Sequence, residues 1–195
     1  MKTGFKRLVQ TSTIIASMLA AGGVMSATDG SLGATSTGDL DIQVDIEPRM
    51  QIARLSDILL SFDGSGTGDV AGFSTACVYR NELGTYEVTA SGDGTGSAFT
   101  VTNAAPVPST IAYTVEWDDT STGAGSTGVT SGTALTGQSG VNTGTDECTV
   151  GGVAGAAAGP GVANARVTVT FARADLLAAP SGTYNGVLTL LVSPE

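Results

Sequence analysis

The chain has 195 residues, of which 8 are Lys or Arg, 18 are Asp or Glu and none is His, for a net charge of −10. An acidic surface repels phosphate backbones and anionic lipid, which excludes nucleic acid as a partner. The absence of histidine removes the commonest general base and metal ligand, and 28 glycines with few charged residues favour an all-β protein.

The first 27 residues have the features of a secretory signal peptide. Three basic residues precede a weakly apolar stretch, residues 8–24, and cleavage is expected near Ser26 or Ala27. A membrane anchor is the alternative, but residues 10–13 interrupt the apolar run and leave too few apolar residues to span a bilayer. Export of the rest leaves 5 basic against 18 acidic residues, a net charge near −13.

Residues 40–46 form the most regular pattern of the chain, because apolar and polar residues alternate strictly there. This alternation predicts a strand with one apolar face. A Gly/Ser/Thr-rich leader, residues 28–38, precedes the strand and Pro48 ends it, so the strand is able to leave its own domain and add to another. We therefore assign residues 28–48 to an N-terminal extension and residues 49–195 to a β-sandwich domain. The predicted donor side chains are Leu40, Ile42, Val44 and Ile46.

The first half of the domain predicts several short strands. Two are expected at residues 50–52 and 58–62. Alternation over residues 73–79 and 86–90, on either side of a turn, predicts a β-hairpin. The clearest central strand spans residues 111–117 and is expected to place Trp117 in the core.

The second half is less regular. Residues 118–161 are of low complexity and predict long loops, with strand material only at Val129, Leu135 and residues 148–150. Order returns with a strand at residues 166–171, one helical turn within 172–179 whose leucines close the end of the sandwich, and a last strand at 183–192. The nearly continuous apolar run of that last strand predicts either burial on both faces or an unusual need for coverage by another element. Eight or nine short strands favour an immunoglobulin-like β-sandwich, although a closed barrel fits the same pattern.

The two cysteines, Cys77 and Cys148, both lie in the exported part. An even pair in an oxidising compartment predicts one disulfide, worth about 4 kcal/mol on the chain-entropy model. Two thiols without histidine do not complete a zinc site, and a catalytic thiol has no imidazole partner. The sequence therefore predicts no metal and no cofactor.

Two groups of carboxylates are candidates for chemical sites. Asp118 and Asp119 beside Trp117 are candidates for a glycosidase pair, but adjacent residues of a strand point to opposite faces. The loop at residues 63–69 is rich in oxygen ligands for calcium, with Asp93 as a further candidate, yet it lacks EF-hand spacing and reads more simply as a flexible turn. Neither group of carboxylates therefore predicts an enzyme.

With these residues in view, the chain resembles bacterial pilus subunits of the chaperone–usher route, in particular the spore coat protein U-like and colonisation-factor-like branches. The resemblance rests on the signal peptide, the alternating strand closed by Glu47 and Pro48, the cysteine-bearing strand at 73–79, and the terminal run at residues 179–192.

The resemblance implies a sandwich that lacks one strand. A periplasmic chaperone, and then the N-terminal extension of the next subunit, fills the resulting groove, so the implied partners are copies of the chain, sister subunits, the chaperone and an outer-membrane usher. The implied location is the periplasm and then a filament on the cell surface. The groove is expected to be lined by an earlier strand and by Val187, Leu188, Leu190, Leu191 and Val192.

Two alternatives stay open at this point. In one, residues 40–46 are the first strand of a complete, monomeric sandwich. In the other, the protein is an adhesive or carbohydrate-binding module in which Trp117 or the tyrosines contact the ligand. A buried Trp117 would favour a role in the core, and an exposed Trp117 would favour ligand binding.

Overall fold

The computed structural model describes residues 27–104, 109–141, 148 and 163–195. The chain divides into two compact units, Met1–Ile46 and Glu47–Glu195. The predicted signal peptide lies almost entirely outside the described residues, as do residues 105–108. No helix within the described ranges is long and apolar enough to cross a membrane.

The first unit is described from Ala27. Thr28 and Asp39 exchange two backbone hydrogen bonds of 2.9 and 3.0 Å, which close residues 28–39 into a loop. No strand is assigned to residues 40–46, which follow this loop.

The second unit is built almost entirely of β-strands. Its elements in chain order are β1 (Met50–Ala53), β2 (Val70–Arg80), β3 (Tyr86–Gly92), β4 (Thr100–Asn103), β5 (Ser109–Ala112), β6 (Thr114–Asp118), β7 (Thr127–Val129), β8 (Ala134–Gln138), β9 (Ala165–Phe171), α1 (Arg173–Ala178) and β10 (Leu188–Pro194).

Two antiparallel sheets pack face to face and form a β-sandwich, which confirms the predicted fold class. The larger sheet has the order β1-β2-β9-β6-β7 and the smaller has the order β10-β3-β8, while β4 and β5 form a separate ribbon. The core lies between the two sheets, where Val78, Val115 and Trp117 of the larger sheet meet Tyr86 and Val88 of the smaller one.

The predicted hairpin between β2 and β3 is wrong. Strand β2 pairs with β1 and β9, whereas β3 pairs with β10 and β8, so the turn at residues 81–84 carries the chain from one sheet to the other. The guanidinium of Arg80, only 4% exposed, holds this crossing by donating to the carbonyl of Thr85 and to Glu82 Oε2 at 3.0 Å.

The predicted strand at residues 58–62 is also wrong, because this segment has no assigned strand. The amide of Ser56 donates to the Ser74 hydroxyl at 2.8 Å in place of a ladder bond. Beyond it, Ile58 and Leu60 lie directly over Gly72, where an added Cβ would come within 2.6 and 2.8 Å of their side chains. The segment therefore covers β2 through its side chains.

The central strand predicted at residues 111–117 is two strands, β5 and β6, which belong to different sheets. The break falls at Tyr113, whose ring packs 5.6 Å from the ring of Phe99 and 5.4 Å from that of Phe171. The predicted burial of Trp117 is confirmed, since it is 1% exposed.

Three further predictions need correction. The region predicted as loops is irregular over much of its described part but contains two short strands, β7 and β8, at Val129 and Leu135, while residues 142–147 and 149–161 lie outside the described residues. The helical turn is present as α1, but Leu177 is 59% exposed and does not close the sandwich. The last strand starts at Leu188, later than predicted, and buries one face.

Candidate functional site

Strand β10 lies at the edge of the smaller sheet and pairs only with β3 within the described residues. Its register runs from Leu188 opposite Gly92 to Pro194 opposite Tyr86. The other edge of β10 therefore presents backbone N–H and C=O groups that a further strand is able to pair with. This edge is the candidate functional site.

The side chains of β10 alternate between the core and the solvent. Leu188, Leu190 and Val192 pack against the core but stay partly exposed, unlike the fully buried Val88 of the adjacent strand. Leu191 is 61% exposed and Val187, which precedes the strand, is 60% exposed. Of the five predicted groove residues, the structure thus brings three together on the inner face and leaves two outside it.

Strand β1 of the larger sheet lies close to β10. It is the edge strand of the larger sheet and approaches β10 to within 8 Å between Cα atoms. Met50 and Ile52 are partly buried against the same core. The alternation of Met50 and Ile52 is the signal in the sequence that could have named β1 as the earlier strand of the predicted groove.

The predicted donor residues lie in the first unit and have exposed side chains. Leu40, Ile42, Val44 and Ile46 are 70%, 82%, 77% and 77% exposed. Single exposed apolar residues are ordinary on protein surfaces, but four at alternate positions share one face when the segment is extended as a strand. On the polar face, Gln43 Nε2 donates to both carboxylate oxygens of Asp45 at 3.0 and 2.9 Å.

The predicted disulfide between Cys77 and Cys148 is present, with the two Cα atoms 5.6 Å apart. Both cysteines are fully buried and form a small cluster with Tyr79 and Ala53. This cluster lies on the face of β2 opposite the main core, because Ala76 and Val78 point into the main core. The disulfide therefore ties residue 148 directly to the strand that pairs with β1.

Trp117 and three of the four tyrosines are unavailable for ligand binding. The exposed fractions are 1% for Trp117 and 4%, 0% and 8% for Tyr79, Tyr86 and Tyr113. Trp117 Nε1 donates to the Tyr86 hydroxyl at 3.3 Å inside the core. A carbohydrate site built by stacking on these rings is therefore not formed.

The buried Tyr86 gives a pH dependence that tests this packing. Burial raises the pKa of Tyr86 to about 12, against the opposing effect of the hydrogen bond from Trp117. The unfolded chain releases this proton near pH 10, so the contribution to stability is complete below pH 10 and is lost as the pH rises toward 12.

We expect the free energy of unfolding, measured by urea denaturation, to fall by about 2 kcal/mol between pH 9 and pH 11.5, since each pH unit above 10 costs about 1.36 kcal/mol. A Tyr86→Phe variant, which keeps the ring and loses the titrating group, should show a shallower decline. Equal declines in the two proteins would contradict a protonated, buried Tyr86.

Asp118 holds the loop that follows β6, whereas Asp119 Oδ2 accepts from the amide and the hydroxyl of Ser139 at 2.9 and 2.8 Å. Asp118 is fully buried, and its carboxylate accepts bonds from the amide and hydroxyl of Thr120 and from the amide of Gly125. Burial alone raises the pKa of Asp118, but these hydrogen bonds outweigh it and lower the pKa below its usual value. A general acid needs a raised pKa, so this carboxyl is unsuited to the glycosidase role.

The loop at residues 63–69 is held by an arginine. The guanidinium of Arg173 donates to the carbonyls of Ser65 and Gly64 at 2.9 and 2.7 Å, and the Arg173 amide donates to Asp69 Oδ1 at 2.9 Å. A positive charge thus already occupies the oxygen-rich side of the loop. Across the described ranges, no three His, Cys, Asp or Glu side chains come together as metal ligands would.

Comparison with solved structures finds similarity to a chain from a chaperone–tip adhesin complex in CFA/I fimbriae biogenesis. The two chains are 16% identical with a TM-score of 0.48, and the match covers 75% of this chain and 41% of that one. This chain therefore matches less than half the length of that protein. No protein-family model and no curated protein matches the sequence.

Proposed function

We propose that the protein is an exported, non-enzymatic structural subunit of a surface filament assembled by the chaperone–usher route. Residues 40–46 of one copy add as a strand to the free edge of β10 in the next copy. The single observation that carries the proposal is this free edge, whose inner apolar side chains remain partly exposed. Strand addition supplies affinity through backbone hydrogen bonds and specificity through alternate side chains.

The lengths of the two partners match. Residues 40–46 are seven residues long and β10, Leu188–Pro194, also has seven. A strand with a period of two places Leu40, Ile42, Val44 and Ile46 on one face, toward the core, and leaves the acidic residues in solvent. A shift by one residue would bury Asp41 and Asp45 instead, so the pattern also fixes the register.

Insertion requires a movement of β1. A strand that pairs on both sides needs about 9.6 Å between its two neighbours, twice the usual spacing of paired strands. Strands β1 and β10 approach to within 8 Å. We therefore expect the donor strand to pair first with β10 and to displace β1 outward where the two strands are closest.

The burial is large enough for slow dissociation. Four apolar side chains contribute roughly 1.5 to 3 kcal/mol each when they leave water, or about 6 to 12 kcal/mol before the costs of association. The same free edge makes the lone subunit prone to non-specific strand pairing. This supports the need for a periplasmic chaperone that covers the groove before the outer-membrane usher assembles the filament.

Export is supported by two features of the chain. The disulfide Cys77–Cys148 forms and persists in oxidising compartments, and the predicted signal peptide provides the route. The strong negative charge of the mature chain favours solubility over adsorption to anionic membranes.

The test compares the mature chain with a variant that carries Ile42→Asp and Val44→Asp. We expect the parent to form filaments or denaturant-resistant oligomers, seen by size-exclusion chromatography and negative-stain microscopy. The variant should stay monomeric, because carboxylates cannot enter the apolar groove. Both proteins should unfold at the same urea concentration as monomers.

A matched control carries Thr37→Asp and Gln43→Asp, which add the same charge to the same segment but leave its apolar face intact. This control should assemble as the parent does. A parent that stays monomeric, with a variant that unfolds, would mean that residues 40–46 belong to their own domain and would end the proposal.

A further inference from the structure

We propose that the turn at residues 81–84, which joins β2 to β3, is the surface on which adjacent subunits contact each other, and that Asn81 fixes the angle between them. The inference rests on the proposed function and deepens it. The support for it lies at residues 47–49, where the N-terminal extension joins the sandwich. These residues are not part of the groove.

Asn81 holds the junction with three hydrogen bonds. Its side-chain amide donates to the carbonyl of Glu47 at 2.8 Å, and its side-chain oxygen accepts from the amide of Arg49 at 2.7 Å. Its own amide donates to the carbonyl of Arg49 at 3.2 Å. The backbone on both sides of Pro48 is therefore fixed to the turn.

The turn that carries Asn81 is stabilised by contacts of its neighbour Arg80. The guanidinium of Arg80 donates to the carbonyl of Thr85 at the far end of the turn and forms an ion pair with Glu82 at 3.0 Å. Gly84 has a φ of +129°, and a Cβ there would meet this guanidinium at 3.2 Å. Hydrogen bonds of Arg80 thus hold both ends of the turn, and the turn holds the junction through Asn81.

The short distance along the chain requires contact between subunits. Ile46 is the last donor residue, and it directly precedes Glu47, which Asn81 holds. Consecutive Cα atoms are 3.8 Å apart. When Ile46 occupies the groove of a neighbour, that neighbour contacts the residue directly before Glu47. The carbonyl of Glu47 is bound by the Asn81 side chain, so the neighbour must lie next to the turn that carries Asn81.

Leu83 then faces this neighbour. It follows Asn81 by two residues, so their Cα atoms are at most about 7 Å apart. Its side chain is 91% exposed at the tip of the turn. We therefore assign Leu83 as an apolar contact with the second copy of the chain, next to the point where the donor strand enters that copy.

The experiment examines filaments of the mature chain by negative-stain microscopy and measures their persistence length. Asn81→Ala should assemble to the same extent, because the donor face is intact. Its filaments should have a persistence length shorter by about twofold or more, because the released linker behaves as a flexible chain. Asn81→Asp keeps the acceptor for Arg49 and loses the donor to Glu47, so it should lie between the parent and Asn81→Ala.

Leu83→Asp should also give more flexible filaments, and Leu59→Asp provides its matched control. Leu59 is 90% exposed in the same unit. Its neighbours Ile58 and Leu60 pack over Gly72, near the end of β2 away from the turn at residues 81–84, so its substitution should leave the filaments unchanged. Filaments of Asn81→Ala and Leu83→Asp that bend like those of the parent would overturn the inference while the proposed function stands. A parent that forms no filaments would remove both.

Discussion

A chain that begins at Pro48 and carries residues 39–47 moved to a position after Glu195, joined by a short Asn/Gly-containing turn, is expected to stay monomeric and to be more stable than the mature chain. The appended strand is able to fold back antiparallel along the free edge of β10, since β10 ends at Pro194. It fills the groove from within the same molecule, and the chain has no donor strand left to give.

The expected gain is set by three effects. Apolar burial contributes roughly 6 to 12 kcal/mol, and ordering seven residues costs on the order of 10 kcal/mol. Backbone hydrogen bonds of about 1 kcal/mol each offset most of that cost. We therefore expect urea denaturation to show a free energy of unfolding higher than that of the monomeric parent by roughly 3 to 9 kcal/mol.

The control for this design is the same fused chain with aspartate in place of Ile42 and Val44 in the appended copy. It has the same length and connection but cannot fill the apolar positions, so it should show no gain in stability. If the two fused chains were equally stable, the added residues would be acting in some way other than strand insertion. A fused chain that still formed filaments would equally contradict the donor role of residues 40–46.

The sequence predicted which residues are buried better than it predicted their partners. Alternation placed Val115 and Trp117 in the core, and both are there. The same alternation cannot tell a hairpin from a crossing between sheets, because it specifies the face of a strand and not its neighbour. The buried Arg80, whose guanidinium closes the turn from β2 to β3, has no signature in the local pattern.

The candidate site was predictable to a similar degree. The apolar face of residues 40–46 is visible in the sequence, but its exposure is not, because most alternating strands are covered by their own domain. The apolar run of β10 predicted either burial on both faces or a need for coverage by another element. Leu190 points inward and Leu191 is exposed, so burial on both faces is wrong and the need for coverage stays a prediction. For β7 and β8 the sequence indicated strand material only at Val129 and Leu135, and it could not give the bounds of the strands because their other residues are mostly small or polar.

Removal of the disulfide by Cys77→Ala and Cys148→Ala is expected to lower the free energy of unfolding by about 4 kcal/mol. The bond closes a loop with a sequence separation of 71 residues, and a loop of that length strongly restricts the unfolded chain on the entropic account. Alanine is the suitable replacement, because both sites are fully buried and a serine would leave an extra hydroxyl there. The unfolded variant exposes more surface, so the dependence of stability on urea concentration should also steepen.

The consequence of this loss depends on whether the groove is filled. A domain with a stability of about 5 to 15 kcal/mol that also lacks one strand should be near its limit without the disulfide, so the free variant is expected to be largely unfolded at 37 °C. The fused chain should tolerate the same substitutions and lose a similar free energy, because the cross-link and the appended strand are distinct interactions and their effects add. A loss below about 1 kcal/mol in the fused chain, with an unchanged urea dependence, would show that the cross-link does not restrict the unfolded state as the entropic account requires.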